Sequence, residues 1–495
     1  MLESVIREQL AAVVGGKWFK DDPESLVSYS YDATPLYQAM PDGVIFPGST
    51  QEVSDIVKIC SKHRIPVITR GAGSNLCGGT IPLQGGLIVV MTRMNKLLEI
   101  DADNLTATFQ TGLNTKQFHL AVERTGLFYP PDPSSMIICT MGGNIALGAG
   151  GLRGLKYGTT KDYVLGLEAV LPDGSILRTG GKLVKDAAGY DLTRLLVGSG
   201  GTLAILTEAT VKLIPKPSYR KAMVAVYDDL QAAARTVSNI IANHIFPCTL
   251  EFMDQPTLQV VEDFAKIGLP VHAKAMLAIE QDGSVEDVER DLKKLEEICL
   301  ASGAVQLNIA KTPEEGAKVM EARRSALAAL SRLRPTTILE DATVPRSKIA
   351  DMVLEVQRIA QKYDVQICTF GHAGDGNLHP TAMTDARDPE EIHRVEEAFA
   401  EIFEAAIAMG GTITGEHGVG IVKAPYLEWK VGEAGIRMMK SIKDAIDPHQ
   451  IMNPGKLFAE TRKRIVFQER TEQAGRDSAS DQDQNQDQDR KIETS

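Results

Sequence analysis

Two short glycine-rich segments late in the chain hold three histidines and a glutamate at spacings suited to metal chemistry. In the first segment, His372 and His379 stand on either side of Gly-Asp-Gly, and the second contains Glu416 and His417. Because glycine tolerates positive φ, the Gly-Asp-Gly corner can fold the chain back and bring both imidazoles to one point. Two imidazoles, one carboxylate and an open position are typical of a catalytic metal site. His417 is then a candidate proton acceptor, and the alternative is a pair of capped turns with satisfied imidazoles.

A second kind of chemistry is indicated by glycine turns in the N-terminal half. One runs from Arg70 to Asn75 directly after a predicted buried strand, and another extends from Thr140 to Arg153. Such turns offer backbone N–H groups to a phosphate or lie against a flat ligand. The first is not a Walker loop, because no Gly-Lys-Ser/Thr follows, and no helix opens at its glycines as a dinucleotide fingerprint requires. A flexible surface loop is the alternative for the second, although apolar residues are interleaved with its glycines.

Composition restricts the class of protein. The chain has 495 residues and a net charge of −12, which disfavours nucleic acid as a partner because phosphate binding needs a basic face. Six scattered cysteines without a CxxC pair exclude iron–sulfur spacing and favour a reduced, cytoplasmic protein. We expect no signal peptide and no membrane span. Peripheral contact with a membrane through a partner remains open.

The pattern of elements changes at Pro215-Lys-Pro217, where alternating strands and helices begin. The sequence predicts an N-terminal extension over 1–40, a glycine-rich domain over 41–216 and a second domain over 217–420 that carries the metal candidate. The second domain is expected to be α+β, with an antiparallel sheet covered by helices. A C-terminal helix follows within 421–460, and 461–495 is a polar tail expected to be disordered.

Several motifs, taken in order, resemble a known family. Arg70-Gly-Ala-Gly-Ser, Pro130-Pro-Asp-Pro-Ser, Gly142-Gly-Asn and Gly198-Ser-Gly-Gly-Thr-Leu are similar to the flavin domain of the vanillyl-alcohol oxidase/p-cresol methylhydroxylase superfamily. The C-terminal half resembles the FAD-linked oxidase domain of D-2-hydroxyacid dehydrogenases, a group that includes glycolate oxidase flavoprotein subunits and D-lactate dehydrogenases. The resemblance implies an α+β fold: a two-subdomain FAD-binding domain of the vanillyl-alcohol oxidase type, an α+β cap domain, and a C-terminal helix returning to the FAD domain.

The resemblance also implies which residues hold FAD. The pyrophosphate would lie on the first glycine turn, and the ring would reach the interface with the second domain. The implied FAD-binding residues are Arg70, Gly71, Ala72, Gly73, Ser74, Asn75, Pro131, Ser134, Thr140, Gly142, Gly143, Asn144, Gly151, Gly200, Ile205 and Asn453. Relatives with a covalent flavin often use a histidine in the first glycine loop, and none stands between Arg70 and Thr80, so we expect non-covalent FAD.

The implied reaction is oxidation of a short D-2-hydroxy acid to its 2-oxo acid. His372, His379 and Glu416 would bind a divalent metal, zinc first, with Mn²⁺ or Fe²⁺ as alternatives. The metal would hold the substrate and lower the pKa of its hydroxyl, His417 would take the proton, and a hydride would pass to flavin N5. Arg323 resembles the arginine that grips the substrate carboxylate. The competing assignment is a surface arginine, with Arg324 the neighbour that could be confused with it.

One departure from the family pattern bears on the substrate. Relatives acting on 2-hydroxyglutarate carry a threonine and a lysine for the distal carboxylate, where this chain has Leu327 and Leu339, and Thr381 replaces an asparagine. Because apolar residues cannot hold a second carboxylate, we expect glycolate or D-lactate rather than D-2-hydroxyglutarate.

Other interpretations stay open at this stage. They are a 2-hydroxyglutarate-type dehydrogenase, a flavin-dependent ether-bond-forming transferase of the same fold, a metal hydrolase and a catalytically silent flavin subunit. The electron acceptor would be a quinone or a partner protein, since the chain lacks iron–sulfur ligands. By resemblance, an iron–sulfur subunit and a second flavin-type subunit are the implied partners.

Overall fold

The N-terminal half contains seven helices and eleven strands among residues 2–216. The computed structural model describes residues 2–458, so the predicted tail (461–495) lies outside the described residues. The helices are α1 (Ser4–Val14), α2 (Pro23–Tyr29), α3 (Thr50–His63), α4 (Thr115–Glu123), α5 (Met141–Leu147), α6 (Gly154–Tyr157) and α7 (Leu192–Leu196). The strands are β1 (Phe19–Lys20), β2 (Gly43–Ile45), β3 (Val67–Arg70), β4 (Leu87–Val90), β5 (Leu97–Asp101), β6 (Thr106–Gln110), β7 (Leu127–Phe128), β8 (Val164–Val170), β9 (Ile176–Gly180), β10 (Ile205–Lys212) and β11 (Ile214–Pro215).

These strands form two main sheets, one for each subdomain. The first has the order β1-β2-β4-β3, with β2, β4 and β3 parallel and β1 antiparallel at the edge. The second is antiparallel, with the order β5-β6-β10-β8-β9. Helix α3 buries Val53, Ile56, Val57 and Cys60, the apolar stripe expected from its 3.6-residue period, against the first sheet. Its first turn is capped by Ser49, whose hydroxyl accepts the N–H of Glu52.

The C-terminal half is built on one large antiparallel sheet. Its strands are β12 (Tyr219–Tyr227), β13 (Thr249–Asp254), β14 (Ala275–Gly283), β15 (Gln306–Ile309), β16 (Thr336–Leu339), β17 (Ala342–Thr343), β18 (Ile367–His372) and β19 (Asn377–Thr384). Its helices are α8 (Leu230–Ala242), α9 (Gln255–Ala265), α10 (Val285–Ala301), α11 (Pro313–Arg324), α12 (Ala326–Leu330), α13 (Ile349–Lys362), α14 (Pro389–Ala408) and α15 (Leu427–Ile446). The strand order is β15-β12-β14-β13-β18-β19-β16, and β17 pairs with β19.

Helices cover both faces of this sheet, because its central strands are apolar on both sides. Leu250 and Phe252 of β13 join a core that also contains Val356 of α13 and Phe399 of α14. Met253, the next residue along β13, belongs instead to the core beneath α9, α11 and α12. Successive side chains of a strand point to opposite faces, so one strand feeds two cores. The predicted α+β fold with an antiparallel sheet is confirmed.

Some local predictions were wrong. The first forty residues, predicted as an extension outside the glycine-rich domain, supply β1 to the edge of the first sheet. The second glycine segment, predicted as a turn against a ligand with a flexible loop as the alternative, contains helix α5, which Thr140 caps and Gly148 ends in a left-handed conformation. Helices α11 and α12 are separated by Ser325, which caps both of them. Five short 3₁₀ helices also occur among residues 2–458, at Gly16–Trp18, Met91–Arg93, Thr160–Asp162, Arg346–Lys348 and Ala424–Tyr426.

The chain returns to the first half after α15. Lys443 of α15 donates to the carbonyl of Thr202 at 2.7 Å, and Met452 forms a parallel bridge with Val67 at the start of β3. The side-chain amide of Asn453 donates to the carbonyls of Gly79 and Gly200, at 2.9 and 2.7 Å. Two glycine turns that are far apart in sequence are therefore tied together by one late residue.

Candidate functional site

A cleft with an interior volume of about 510 Å³ lies between the two halves of the chain. The N-terminal half lines it mostly with glycine turns and the start of α5, whereas the C-terminal half contributes side chains. The predicted site residues that line it are Gly71, Ala72, Gly73, Ser74, Asn75, Ser134, Thr140, Gly142, Gly143, Asn144, Gly200, Arg323, His379, Glu416 and His417. Most of the predicted FAD-binding residues therefore lie on the same cleft as the predicted base and two of the predicted metal ligands.

The first glycine turn is held from behind by Asp32, a residue that the sequence analysis missed. Its carboxylate accepts the side-chain amide of Asn75 at 2.9 Å and the backbone N–H and hydroxyl of Thr80 at 3.2 and 3.0 Å. Arg70 donates to the carbonyl of Tyr31 at 2.7 Å and to Thr80, so its guanidinium also supports the turn. The only sequence signal for this contact is the aspartate at position 32 itself, which lies before the predicted FAD-binding domain.

Bare backbone is needed at the α5 wall of the cleft. A Cβ on Gly142 would stand 2.5 Å from the Thr111 side chain and 2.8 Å from its carbonyl oxygen. The Thr140 hydroxyl accepts the N–H of Gly143 at 3.2 Å, and the Asn144 amide donates to Thr115 at 2.9 Å. Glycines that pack against backbone and leave a smooth wall on the other side fit a flat cofactor such as FAD.

Five predicted FAD-binding residues do not line the cleft. Arg70 and Asn453 support the glycine turns, and Ile205 is buried in the core of the first subdomain. Gly151 is packed against the backbone of Asp132, and the carbonyl of Pro131 accepts from Nε2 of His119 at 3.0 Å. The structure thus places these five behind the wall, and a direct contact of each with FAD stays a prediction.

The opposite wall of the cleft is one face of the large sheet. His372 is the last residue of β18 and His379 lies near the start of β19, with residues 373–376 forming the turn between them. Phe370 pairs with His379 across these strands, and Leu339 of β16 pairs with Thr381. Because residues directly opposite in an antiparallel pair share a face, the ladder places these side chains together. The corner predicted to fold the chain back is a β-hairpin.

The three predicted metal ligands converge. Nε2 of His372 lies 3.0 Å, and Nε2 of His379 3.3 Å, from the same carboxylate oxygen of Glu416. His372 does not line the cleft and stands behind this group, where its Nδ1 lies 2.8 Å from Glu251. Burial alone would lower the pKa of His372, but Glu251 and Glu416 together raise it well above its usual value.

The donor set fits a divalent cation. Nδ1 of His372 faces the Glu251 carboxylate, which accepts its proton, so Nε2 is the ring nitrogen that a cation could take; a carboxylate–histidine pair orients a metal ligand in this way. A second group, Asp341 with His379 and His417, also has its ligand atoms within 4.8 Å of one another. Asp341 is already engaged, because one of its oxygens accepts the N–H groups of Gly415, Glu416 and His417. The first group is therefore the better match.

His417 lies against the first group and on the cleft. Its ring stacks on that of His379, with centroids 5.3 Å apart and planes inclined by 7°. Burial lowers the pKa of His417 to about 4, so the imidazole is neutral at pH 7. Its Nδ1 is buried without a hydrogen-bond partner among the described residues, 3.9 Å from Asp341. A neutral, partly satisfied imidazole at this place can accept a proton.

Arg323 and Arg324 at the end of α11 have different surroundings. Arg324 binds Asp132 of the N-terminal half at 2.5 Å and also donates to its carbonyl, so it ties the two halves together. Arg323 is 2 % exposed, lies over the Phe370 ring and approaches Glu251 to 2.6 Å. Its Nε has no hydrogen-bond partner in the described part of the chain. A buried guanidinium with a free N–H on the cleft is suited to a carboxylate, which favours Arg323 over Arg324.

Comparison with known protein families identifies two matching regions. Residues 41–180 match the FAD binding domain family, and residues 216–457 match the C-terminal domain of FAD linked oxidases. The chain is 62% identical to glycolate oxidase subunit GlcD of Bacillus subtilis (strain 168), over 94% of this chain and 99% of that protein. It is 35% identical to D-lactate dehydrogenase of Anaerostipes hadrus, over 87% of this chain and 92% of that enzyme.

Solved structures share the fold at lower identity. p-Cresol methylhydroxylase superposes with a TM-score of 0.77 and 18% identity, covering 92% of this chain and 96% of that one. At this identity the likeness concerns the fold alone. Within residues 2–458 we find no helix whose length and hydropathy would allow it to span a bilayer.

Proposed function

The chain belongs to the FAD-linked oxidases, and on this premise we propose that it oxidises a short D-2-hydroxy acid, glycolate or D-lactate, to the 2-oxo acid. The observation that carries the proposal is the shared cleft. Glycine turns line one wall, and Arg323, His379, Glu416 and His417 line the other. FAD bound non-covalently on the first wall supplies a hydride acceptor. The relatives named above act, by their names, on glycolate and D-lactate.

The residues of the sheet wall have separate tasks. The Arg323 guanidinium, buried and with a free Nε–H, binds the substrate carboxylate. His372, His379 and Glu416 would hold a divalent metal, for which we propose zinc, and such an ion would supply the positive charge that makes the α-hydroxyl more acidic. His417 accepts the hydroxyl proton, since its imidazole is neutral at pH 7 and lies on the cleft.

Two apolar residues limit the kind of substrate that the cleft can bind. Leu327 and Leu339 line the cleft beside Arg323 and offer no partner to a second carboxylate. Burying an unpaired carboxylate costs several kcal/mol, roughly the amount that would abolish useful affinity. We therefore propose that D-2-hydroxyglutarate is a poor substrate compared with glycolate and D-lactate.

The electrons leave through another protein or a quinone. Several relatives are named as subunits of glycolate oxidase, which supports a complex with further subunits. We propose that this chain is the acid-oxidising subunit of such a complex.

Anaerobic reduction of the flavin tests the proposal. Glycolate or D-lactate is expected to bleach the flavin absorbance of the purified protein, and L-lactate is not. His417→Gln should bind the same FAD and slow the bleaching by about 10²–10⁴-fold, the usual contribution of a positioned base. Colourless protein, or equal bleaching by both lactate enantiomers, would refute the assignment. Faster turnover of D-2-hydroxyglutarate than of either short acid would refute the proposed size limit.

A further inference from the structure

A buried glutamate contacts both a proposed metal ligand and the proposed carboxylate-binding arginine. Glu251 lies in the middle of β13 and is 0 % exposed. Its two carboxylate oxygens have different partners: Oε1 lies 2.8 Å from Nδ1 of His372, and Oε2 lies 2.6 Å from Nη2 of Arg323. No role in the proposed reaction has so far been given to this residue.

The strand register of the sheet places Glu251 next to His372. Phe252 and Met253 of β13 pair with Gly371 and Phe370 of β18, so continuing the same antiparallel register sets Glu251 opposite His372. Leu250 and Phe252 on either side turn to the other face and join the core there. A strand that is otherwise apolar around this position thus carries one carboxylate on the site face. Burying that charge is costly unless it is paired on both oxygens.

Each contact has a consequence for ligand binding. A metal-binding imidazole carries one proton, and the Glu251 carboxylate, 2.8 Å from Nδ1, holds that proton on Nδ1, so that Nε2 of His372, which points to Glu416, is the nitrogen that would bind a cation. The other oxygen forms an ion pair with Nη2 of Arg323 at 2.6 Å, which fixes the position of the guanidinium. The Nε–H has no hydrogen-bond partner among the described residues and remains for a carboxylate.

We propose that Glu251 is a positioning residue that sets the cation site and the carboxylate-binding arginine in one geometry. It touches neither substrate nor cofactor and acts through His372 and Arg323. The inference rests on the proposed function, because it assumes that a metal and a 2-hydroxy acid bind here. Metal binding and acid binding would then both depend on the Glu251 side chain.

Replacement of Glu251 by glutamine tests this directly. Glutamine keeps the size but presents one oxygen and one NH₂, so either His372 or Arg323 must face a donor instead of an acceptor. Two readouts are measured on the intact flavoprotein: zinc retained against increasing EDTA, and the Kd of oxalate from its perturbation of the flavin spectrum. We expect Glu251→Gln to weaken zinc retention by about 10–100-fold, as loss of an outer-shell carboxylate does, and to raise the oxalate Kd about tenfold.

Glu280→Gln is the matched control. Glu280 is a buried glutamate on the adjacent strand β14, where it lies 3.6 Å from Arg220 and accepts from Cys248. Its replacement also removes a buried carboxylate from the same sheet, but it is expected to leave zinc retention and the oxalate Kd within about twofold of wild type. FAD content and the thermal midpoint are recorded for both variants, so that loss of fold is separated from loss of positioning.

A double variant adds a readout that a purely structural role would not move. If Glu251 affects acid binding through Arg323, the effects of Arg323→Lys and Glu251→Gln are not independent. The double variant is then expected to raise the oxalate Kd by clearly less than the product of the two single increases. Where Glu251→Gln does not fold, Glu251→Asp, which keeps the charge but is shorter by one methylene, is measured in the same way. It is expected to lose part of both bindings.

The results distinguish a failure of the role proposed for Glu251 from a failure of the proposed function. Wild type that retains zinc and binds oxalate, together with a Glu251 variant that does both equally well, overturns the role of Glu251 alone. The same holds if the Glu251 and Glu280 variants lose both bindings in proportion to their thermal midpoints. Wild type that retains no zinc, binds no oxalate and is not bleached by glycolate or D-lactate overturns the proposed function, and the role of Glu251 with it.

Discussion

The two walls of the cleft recognise their ligands by opposite means. On the N-terminal side, glycine turns and the first turn of α5 present backbone, and the supporting side chains stand behind it: Asp32, Arg70 and Asn453 all bond to the turns. On the C-terminal side, the cleft is lined by side chains from a strand, a helix end and a loop: His379 of β19, Arg323 of α11, and Glu416 and His417. A long cofactor therefore meets a surface that is mostly backbone, whereas a small acid meets a few charged side chains.

This difference predicts how the walls fail. Substitutions on the C-terminal wall should impair the reaction and leave the flavin in place, because no ligand of the proposed metal belongs to the glycine turns of the N-terminal half. Damage to the glycine wall should remove the flavin and leave the metal in place. The following experiments test this separation, beginning with the largest expected effect.

Removal of a metal ligand should abolish turnover without loss of flavin. His379→Ala is expected to reduce kcat/KM for glycolate and D-lactate by at least about 10³-fold, roughly 4 kcal/mol of transition-state stabilisation. Zinc content should fall with it, since His379 supplies one of three ligands, while the ratio of FAD to protein stays near that of wild type. Elemental analysis and the visible spectrum measure the two ratios. Parallel loss of FAD would show that the walls are not independent.

A methyl group on the glycine wall should have the reverse effect. In Gly142→Ala, the added Cβ meets the backbone of Thr111, which cannot turn aside, so the start of α5 must shift. Overpacking of this kind costs about 1–3 kcal/mol, which corresponds to roughly 10–100-fold weaker FAD binding. Fluorescence of released FAD measures the affinity, and zinc retention should be unchanged. Gly16→Ala is the control, because a Cβ there has no neighbour within 4 Å.

The smallest effect concerns a histidine behind the glycine wall. Burial lowers the pKa of His119 to about 4, so the unfolded chain, with a histidine pKa near 6.5, binds more protons between pH 4 and 6.5. The contribution of the neutral His119 to the free energy of unfolding is fully present above about pH 6.5 and is lost as the pH falls towards 4. At pH 5 the loss amounts to about 2 kcal/mol.

His119→Gln should remove this pH dependence. Denaturant unfolding of the flavoprotein at pH 5 and pH 7.5 measures the difference for wild type and variant. His63→Gln, at an exposed position at the end of α3, serves as the control and should keep the slope of wild type. An unchanged slope in the His119 variant would mean that another group titrates in this window.

The sequence predicted the candidate catalytic groups better than the residues that support them. Alternation of apolar residues, a local signal, indicated the antiparallel sheet of the second domain, whereas the fold of the N-terminal half was implied by the family resemblance. The residues that hold the site together are distant in sequence: Asp32 reaches Thr80, and Glu251 reaches His372 across 121 positions. A single buried carboxylate on a strand has no periodicity of its own, so only the sheet register reveals what it faces. Helix α5 was missed because its two glycines are poor helix formers and tertiary packing overrides their preference.

The late position of Asn453 has a consequence for biosynthesis. This amide ties the turns at Gly79 and Gly200, residues that leave the ribosome hundreds of positions earlier. Domains generally fold from the N-terminus while translation proceeds, so both turns are made before the residue that clamps them exists. Stable flavination is thus expected to be a post-translational event, and a polypeptide truncated shortly before this asparagine should emerge as an apoprotein.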